Sequence, residues 1–168
     1  EIIVQRDTNE LWIQDIGMDK IPDPNGTTVQ WKAADYKLKW ERKIIKIEGD
    51  KITLNAPIST SIDERYGGGF IHKFNWDSRI NNSGAEDLLF DSVYKHDTDE
   101  EHGWIAVQIG RSVDCWAQRI TSKHFAYSCV FIDSTSRNIT VRDCEFKEPI
   151  STIAGGLRYS FNINGQLC

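Results

Sequence analysis

The four cysteines of this chain, Cys115, Cys129, Cys144 and Cys168, include no CxxC pair, which argues against a structural zinc site. No run approaches the ~18 consecutive apolar residues of a membrane span. Basic residues are in the minority, 20 Lys and Arg against 25 Asp and Glu, for a formal charge of −5. With no basic face standing out, a nucleic-acid partner is not expected. The composition, 39% hydrophobic and 27% charged, is that of a folded chain, and 168 residues is a one-domain length. Helical periodicity is nearly missing as well, which leaves strands and tight corners as the building material.

What is present is a repeat. Trp104-Ile-Ala-Val-Gln-Ile109 and Cys129-Val-Phe-Ile-Asp133 each lead into a small polar corner, Gly110-Arg-Ser112 and Ser134-Thr-Ser136. Each then runs into an alternating stretch, Cys115–Ile120 and Ile139–Cys144. Aligning Ile109 with Ile132 and Cys115 with Ile139 gives steps of 23 and 24 residues. A period of this size points to stacked repeats, and the alternation within each unit is the strand period of two. Arg79–Val93 fits the same template upstream, and Tyr159–Gly165 restarts it downstream. These steps predict coils of a parallel β-helix over 77–168. Since the last coil has no visible cap, the chain is expected to be a fragment of a longer protein.

Residues 1–76 do not repeat. Glu1–Gln5 reads as a strand. Asp7-Thr-Asn-Glu10 reads as a capping box with Asp7 at the cap, opening a short helix that stops at Gly17. Tyr36–Glu48 reads as one long strand that returns through Glu48–Lys51 into Lys51–Asn55, forming a hairpin. With no linker between the two parts, residues 1–168 are expected to form a single unit.

Strand alternation assigns faces. Val107, Val130 and Phe161 form one inward column, and Ile109, Ile132 and Ile163 the next. The outward columns are Ala106, Cys129 and Ser160; Gln108, Phe131 and Asn162; and Gly110, Asp133 and Asn164. Three insertions, 95–103, 121–128 and 147–158, precede the same strand of successive coils and so should wall the outward face, a common placement for binding loops. They bring His96, Asp97, Asp99, Glu100, Glu101, His102, His124, Tyr127 and Arg158 to its edge. An aromatic, amide and charged groove several coils long suits an extended polymer.

His102-Gly-Trp-Ile-Ala-Val, Asp114-Cys-Trp-Ala-Gln-Arg-Ile-Thr, Val141-Arg-Asp-Cys144 and Gly155-Gly-Leu-Arg-Tyr-Ser-Phe161 resemble bacterial pectate-lyase-like proteins. So do the upstream Trp40–Gly49 and Ile52–Pro57, which are similar to the hairpin such proteins carry before their coils. The resemblance implies an all-β fold, a right-handed parallel β-helix (solenoid) with an N-terminal β-hairpin and short helix. It also implies an extracellular or cell-surface protein acting on an extended acidic polysaccharide as lyase or glycoside hydrolase. The alternative is a non-catalytic glycan-binding, structural or adhesive module, since fold does not fix function.

Under the lyase reading, Arg158 pairs with a uronate carboxylate in bidentate fashion and His102 or Tyr159 exchanges the proton. Under the hydrolase reading, Asp133 needs a second, opposed carboxylate, for which only Glu101 or Glu148 is at hand. Trp104, Gln108, Phe131, Asn162, Asn164 and His124 are the expected substrate-binding residues. No metal ligands are assigned; calcium stays open as a cofactor, because it takes six to eight oxygens and the Asp133 column lacks further carboxylates.

Overall fold

The computed structural model describes residues 1–168. Contacts divide the chain into two compact units, Glu1–Trp76 and Asp77–Cys168.

In the first unit, β1 (Ile2–Arg6) is followed by α1 (Glu10–Asp15), β2 (Leu38–Arg42), β3 (Ile44–Glu48), β4 (Lys51–Leu54) and β5 (Gly69–Lys73). β1 lies between β2 and β5, antiparallel to both. It is buried along its whole length, and Ile2, Val4 and Trp40 form the local core. The helix cap is Asn9, whose side chain accepts from the Trp12 N–H at 3.2 Å, and not the expected Asp7. Asp7 is instead occupied as an acceptor for the Gln5 amide at 2.8 Å. The expected long strand also breaks, at Lys43. There Asn55 accepts the Lys43 N–H at 2.7 Å and donates its own N–H to the Lys43 carbonyl at 2.9 Å. β2 therefore pairs with β1, while β3 turns to β4.

The second unit holds β6 (Ile80–Asn81), β7 (Gly84–Asp91), β8 (Ile105–Ile109), β9 (Ser112–Val113), β10 (Trp116–Lys123), β11 (Ser128–Ile132), β12 (Thr140–Arg142), β13 (Glu145–Lys147) and β14 (Phe161–Ile163). Here every pairing is parallel. β11 lies between β8 and β14, with Val130 beside Val107 and Phe161, and Ile132 beside Ile109 and Ile163. β10 pairs with β7 on one side and with β12 and β13 on the other. Cys115, Ala117, Ile120, Cys129, Val130, Ile132 and Ile139 form the core.

The expected fold class is corrected. The strands form five separate sheets of two to four strands, two of them antiparallel. No sheet closes or runs on as a solenoid, so a right-handed parallel β-helix is not the architecture. One reason lies in the corners. Asp87, Arg119 and Asp143 take left-handed backbone conformations, φ +57°, +52° and +54°. Such residues leave the extended region, and the ladder of β10 is interrupted there: Trp116–Gln118 pairs with β12, and Thr121–Lys123 pairs with β13. The other reason is depth. Three strands stacked side by side give only the middle one neighbours on both sides. Ile120, Val130 and Ile132 are fully buried, whereas Leu88, Phe161 and Ile163 remain 42%, 41% and 44% exposed.

Two smaller expectations also change. Cys129 is fully buried, although alternation places it outward. Residues 121–123 belong to β10, and Phe125 and Ala126 are buried, so 121–128 is not a protruding insertion.

Candidate functional site

The sheet of β8, β11 and β14 carries a patch of aromatic rings. Tyr127, just before β11, is its hub: ring centroids lie 6.4 Å from Trp104, 6.2 Å from Phe131 and 5.8 Å from Tyr159. Parallel pairing of Ser128 with Ile105 brings Tyr127 beside Trp104 at the strand entrances. Trp104 is 42% exposed and Tyr159 49%. The Asn162 side-chain amide donates to the Tyr127 hydroxyl, and Gln108 and Asn162 flank Phe131 in register. Five of the residues expected to bind substrate or to catalyse, Trp104, Gln108, Phe131, Tyr159 and Asn162, are thus brought together. The surface offers flat apolar rings with polar tips beside amides that can both donate and accept.

The other expected catalytic groups serve the loops around this patch. His102 Nδ1 lies 2.9 Å from Ser92 Oγ, and Nε2 lies 2.9 Å from the Ile150 carbonyl oxygen. A carbonyl can only accept, so Nε2 carries the proton; the Ser92 hydroxyl, which accepts the Gly103 N–H at 2.9 Å, donates to Nδ1. Both ring nitrogens are occupied. Arg158 uses Nε on Ser151 Oγ at 3.1 Å and Nη2 on the Ser151 carbonyl at 2.5 Å. The Trp104 indole donates to the Glu100 carbonyl at 2.9 Å, and the Glu100 carboxylate accepts the Thr152 N–H at 3.2 Å. The segments 95–103 and 147–158 are therefore stitched to each other and to the base of the patch.

Asp133 stands apart. Its Oδ1 accepts from the Thr135 N–H at 2.9 Å, the Thr135 hydroxyl at 2.5 Å and the Ser136 hydroxyl at 3.2 Å. Oδ2 leans over Gly110, where a Cβ would be only 2.5 Å from it. It lies at the far end of β11 from Tyr127, six residues on and so about 20 Å along the strand at ~3.3 Å per residue. Asn164 follows β14 at that same end and is tied by its backbone N–H to the Ile132 carbonyl at 2.9 Å. Asp133 is a corner former and does not meet His102, Arg158 or Tyr159.

His124 binds two carboxylates, Asp91 through Nδ1 at 2.6 Å and Glu148 through Nε2 at 3.1 Å. Donating to both requires the imidazolium, and the Asp91 hydrogen bond, followed by that of Glu148, raises its pKa above the usual 6.5. It ties residues from β7, the end of β10 and the end of β13, so it acts as a staple and not as a free ligand-binding group. Asp99, in the acidic segment, is buried. It accepts the Glu101 and Lys95 N–H groups at 2.9 and 2.8 Å, bonds that hold its carboxyl below the ordinary aspartate range. No group of three or more His, Cys, Asp or Glu is arranged to hold a metal ion.

Tyr127, the hub of the patch, is the residue left out of the expected binding set. Its signal was available: the 23-residue step that joins Ile109 to Ile132 also joins Trp104 to Tyr127. Glu148, 24 residues beyond its partner His124, follows the same logic, whereas Asp91 lies 33 residues before it and does not. No helix is long and apolar enough to cross a membrane. Compared with protein-family models, curated proteins and solved structures, the chain matches none.

Proposed function

We propose that this protein binds an extended polysaccharide on the aromatic patch of β8, β11 and β14, in an extracellular or cell-surface setting. The observation that carries the reading is the cluster of Trp104, Tyr127, Phe131 and Tyr159, with neighbouring rings 5.8–6.4 Å apart and amides alongside. Pyranose rings present C–H faces that pack on aromatic surfaces and hydroxyls that pair with amides. Rigid aromatic side chains supply such contact with little loss of rotamer freedom.

Binding without turnover is favoured over lyase or hydrolase chemistry. A general base must reach the proton it takes, and His102 has neither ring nitrogen to spare. Asp133 is held by three donors at the corner and faces no second carboxylate across the patch. Arg158 spends Nε and one Nη2 hydrogen on Ser151, so it serves as a positioned cation and not as a base. The two Nη1 hydrogens and the second Nη2 hydrogen are left to donate to a uronate carboxylate, which supports an acidic glycan as ligand in the finer reading.

The test is a panel of acidic and neutral polysaccharides assayed in parallel for retention of the protein, for new absorbance at 235 nm and for new reducing ends. Retention by at least one polysaccharide with neither chemical signal is expected. Absence of retention across the panel removes the binding reading, and new absorbance or reducing ends would restore the catalytic one.

A further inference from the structure

A second concave surface lies on a different sheet. It is a groove of about 400 Å³ lined by Glu86, Asp114, Trp116, Gln118, Thr140 and Arg142, with Asn138 at its rim. Its floor is the Trp116 indole. The ring packs over Gly84, its neighbour in register on β7, where any Cβ would collide with it. The indole N–H is pinned to Glu86 Oε1 at 2.5 Å.

The polar groups around the ring are ordered by one another. Arg142 Nε donates to Gln118 Oε1 at 3.1 Å. Glu86 Oε2 accepts from Arg119 Nη2 at 2.9 Å, and Arg119 is paired in turn with Asp87 at 2.5 and 2.8 Å. The Asn138 amide donates to Asp114. Glu86, Gln118 and Arg142 are aligned by the parallel pairing of β7, β10 and β12, so an indole floor and a row of oriented donors and acceptors are set on three adjacent strands.

Charge selects among ligands for such a site. Two carboxylates, Glu86 and Asp114, line the groove against one guanidinium, Arg142, while Arg119 is committed to Asp87 and Glu86. An anion would meet a net negative wall, whereas a neutral polyol finds hydrogen-bonding groups of both kinds.

We infer that this groove is a second saccharide site, for a neutral hexopyranose unit whose ring face lies on Trp116 and whose hydroxyls meet Thr140, Asn138, Asp114 and the terminal nitrogens of Arg142. It is independent of the aromatic patch, and the two together would let one protein engage two glycan segments of different charge.

The test uses the full chain carrying Trp104→Ala and Tyr159→Ala, so that the aromatic patch is disabled. The indole N–H resonance of Trp116, assigned by its loss in Trp116→Phe, is followed during titration with cellohexaose, mannohexaose and a galacturonate hexamer. A saturable shift with at least one neutral hexamer is expected, with the uronate at least tenfold weaker. Trp116→Ala, which lacks this resonance and is followed by isothermal titration calorimetry beside its parent, should weaken neutral binding at least tenfold. Thr140→Val and Arg142→Ala, exposed substitutions that keep the floor, should each weaken it severalfold.

No shift with either neutral hexamer at millimolar concentration, or a uronate that binds as tightly, overturns the inference. Binding seen in the unaltered protein but lost in the Trp104→Ala/Tyr159→Ala background also overturns it, while leaving the aromatic patch standing.

Discussion

His102 Nε2 lies 2.9 Å from the carbonyl oxygen of Ile150, 48 residues further along the chain. With Nδ1 accepting from Ser92, the imidazole bridges two loops and has no lone pair or proton left for a ligand. His102→Ala leaves a buried hydroxyl and a carbonyl short of partners, a loss of about 1–3 kcal/mol per group at most. The expected outcome is a lowered midpoint in urea unfolding. Glycan affinity, measured where the variant is folded, should stay within about twofold of the parent. A catalytic His102 would show the reverse pattern.

The His124 staple gives a pH dependence of defined sign. Its folded-state pKa is raised by Asp91 first and Glu148 second. The stabilisation is therefore complete below the unfolded value near 6.5 and fades as pH rises through the folded value. Unfolding midpoints should fall between about pH 6.5 and the folded pKa more steeply in the parent than in His124→Gln, which cannot titrate. Parallel curves for the two proteins would show that the imidazolium does not hold this edge.

The corners offer a backbone test. Asn138 sits at φ +58° and donates to Asp114. Asparagine tolerates this region better than other non-glycine residues, and a β-branched side chain there costs roughly 1–2 kcal/mol. Asn138→Val should lose that amount plus the hydrogen bond, while Asn138→Gly should lose less. Chemical denaturation of the pair measures the difference.

Core substitutions should follow depth in the stack. Ile132, with strands on both sides and no exposure, is expected to lose about 2–5 kcal/mol on truncation to Ala. Phe161, the bulkier residue, is 41% exposed and should lose less. Equal losses at both positions would mean that the outer strand is covered in solution.

Part of this was legible in the chain itself. The apolar columns through Val107, Val130 and Phe161, and through Ile109, Ile132 and Ile163, are paired as the repeat indicates, because like residues recur at inward positions. What the repeat does not encode is whether paired strands extend into a continuous wall. The left-handed Asp87, Arg119 and Asp143 break the ladder, and the stack is too shallow to bury its outer strands, so the β-helix reading failed. The central place of β1 was also invisible, since its partners lie at residues 38–42 and 69–73, with no periodicity linking them.

The site divides in the same way. Trp104, Phe131 and Asn162 were legible from register. The occupations of His102 and Arg158 were not, because their partners Ile150 and Ser151 lie in a loop that follows no repeat. Asp133, beside Ser134, was legible both as an outward residue and as a corner hydrogen-bonder; its particular donors, Thr135 and Ser136, were not.

The most direct test of the binding patch is affinity electrophoresis of the parent protein beside Trp104→Ala, Tyr159→Ala and the double variant, in gels containing whichever polysaccharide retains the parent. Both side chains are exposed, so truncation should leave the fold intact, as circular dichroism will verify. Each single variant should lose roughly 1–2 kcal/mol of binding free energy, in the range of a well-placed aromatic contact, and the double variant should migrate as in a gel without polysaccharide. A folded double variant retained as strongly as the parent would contradict the assignment of this patch as the glycan site.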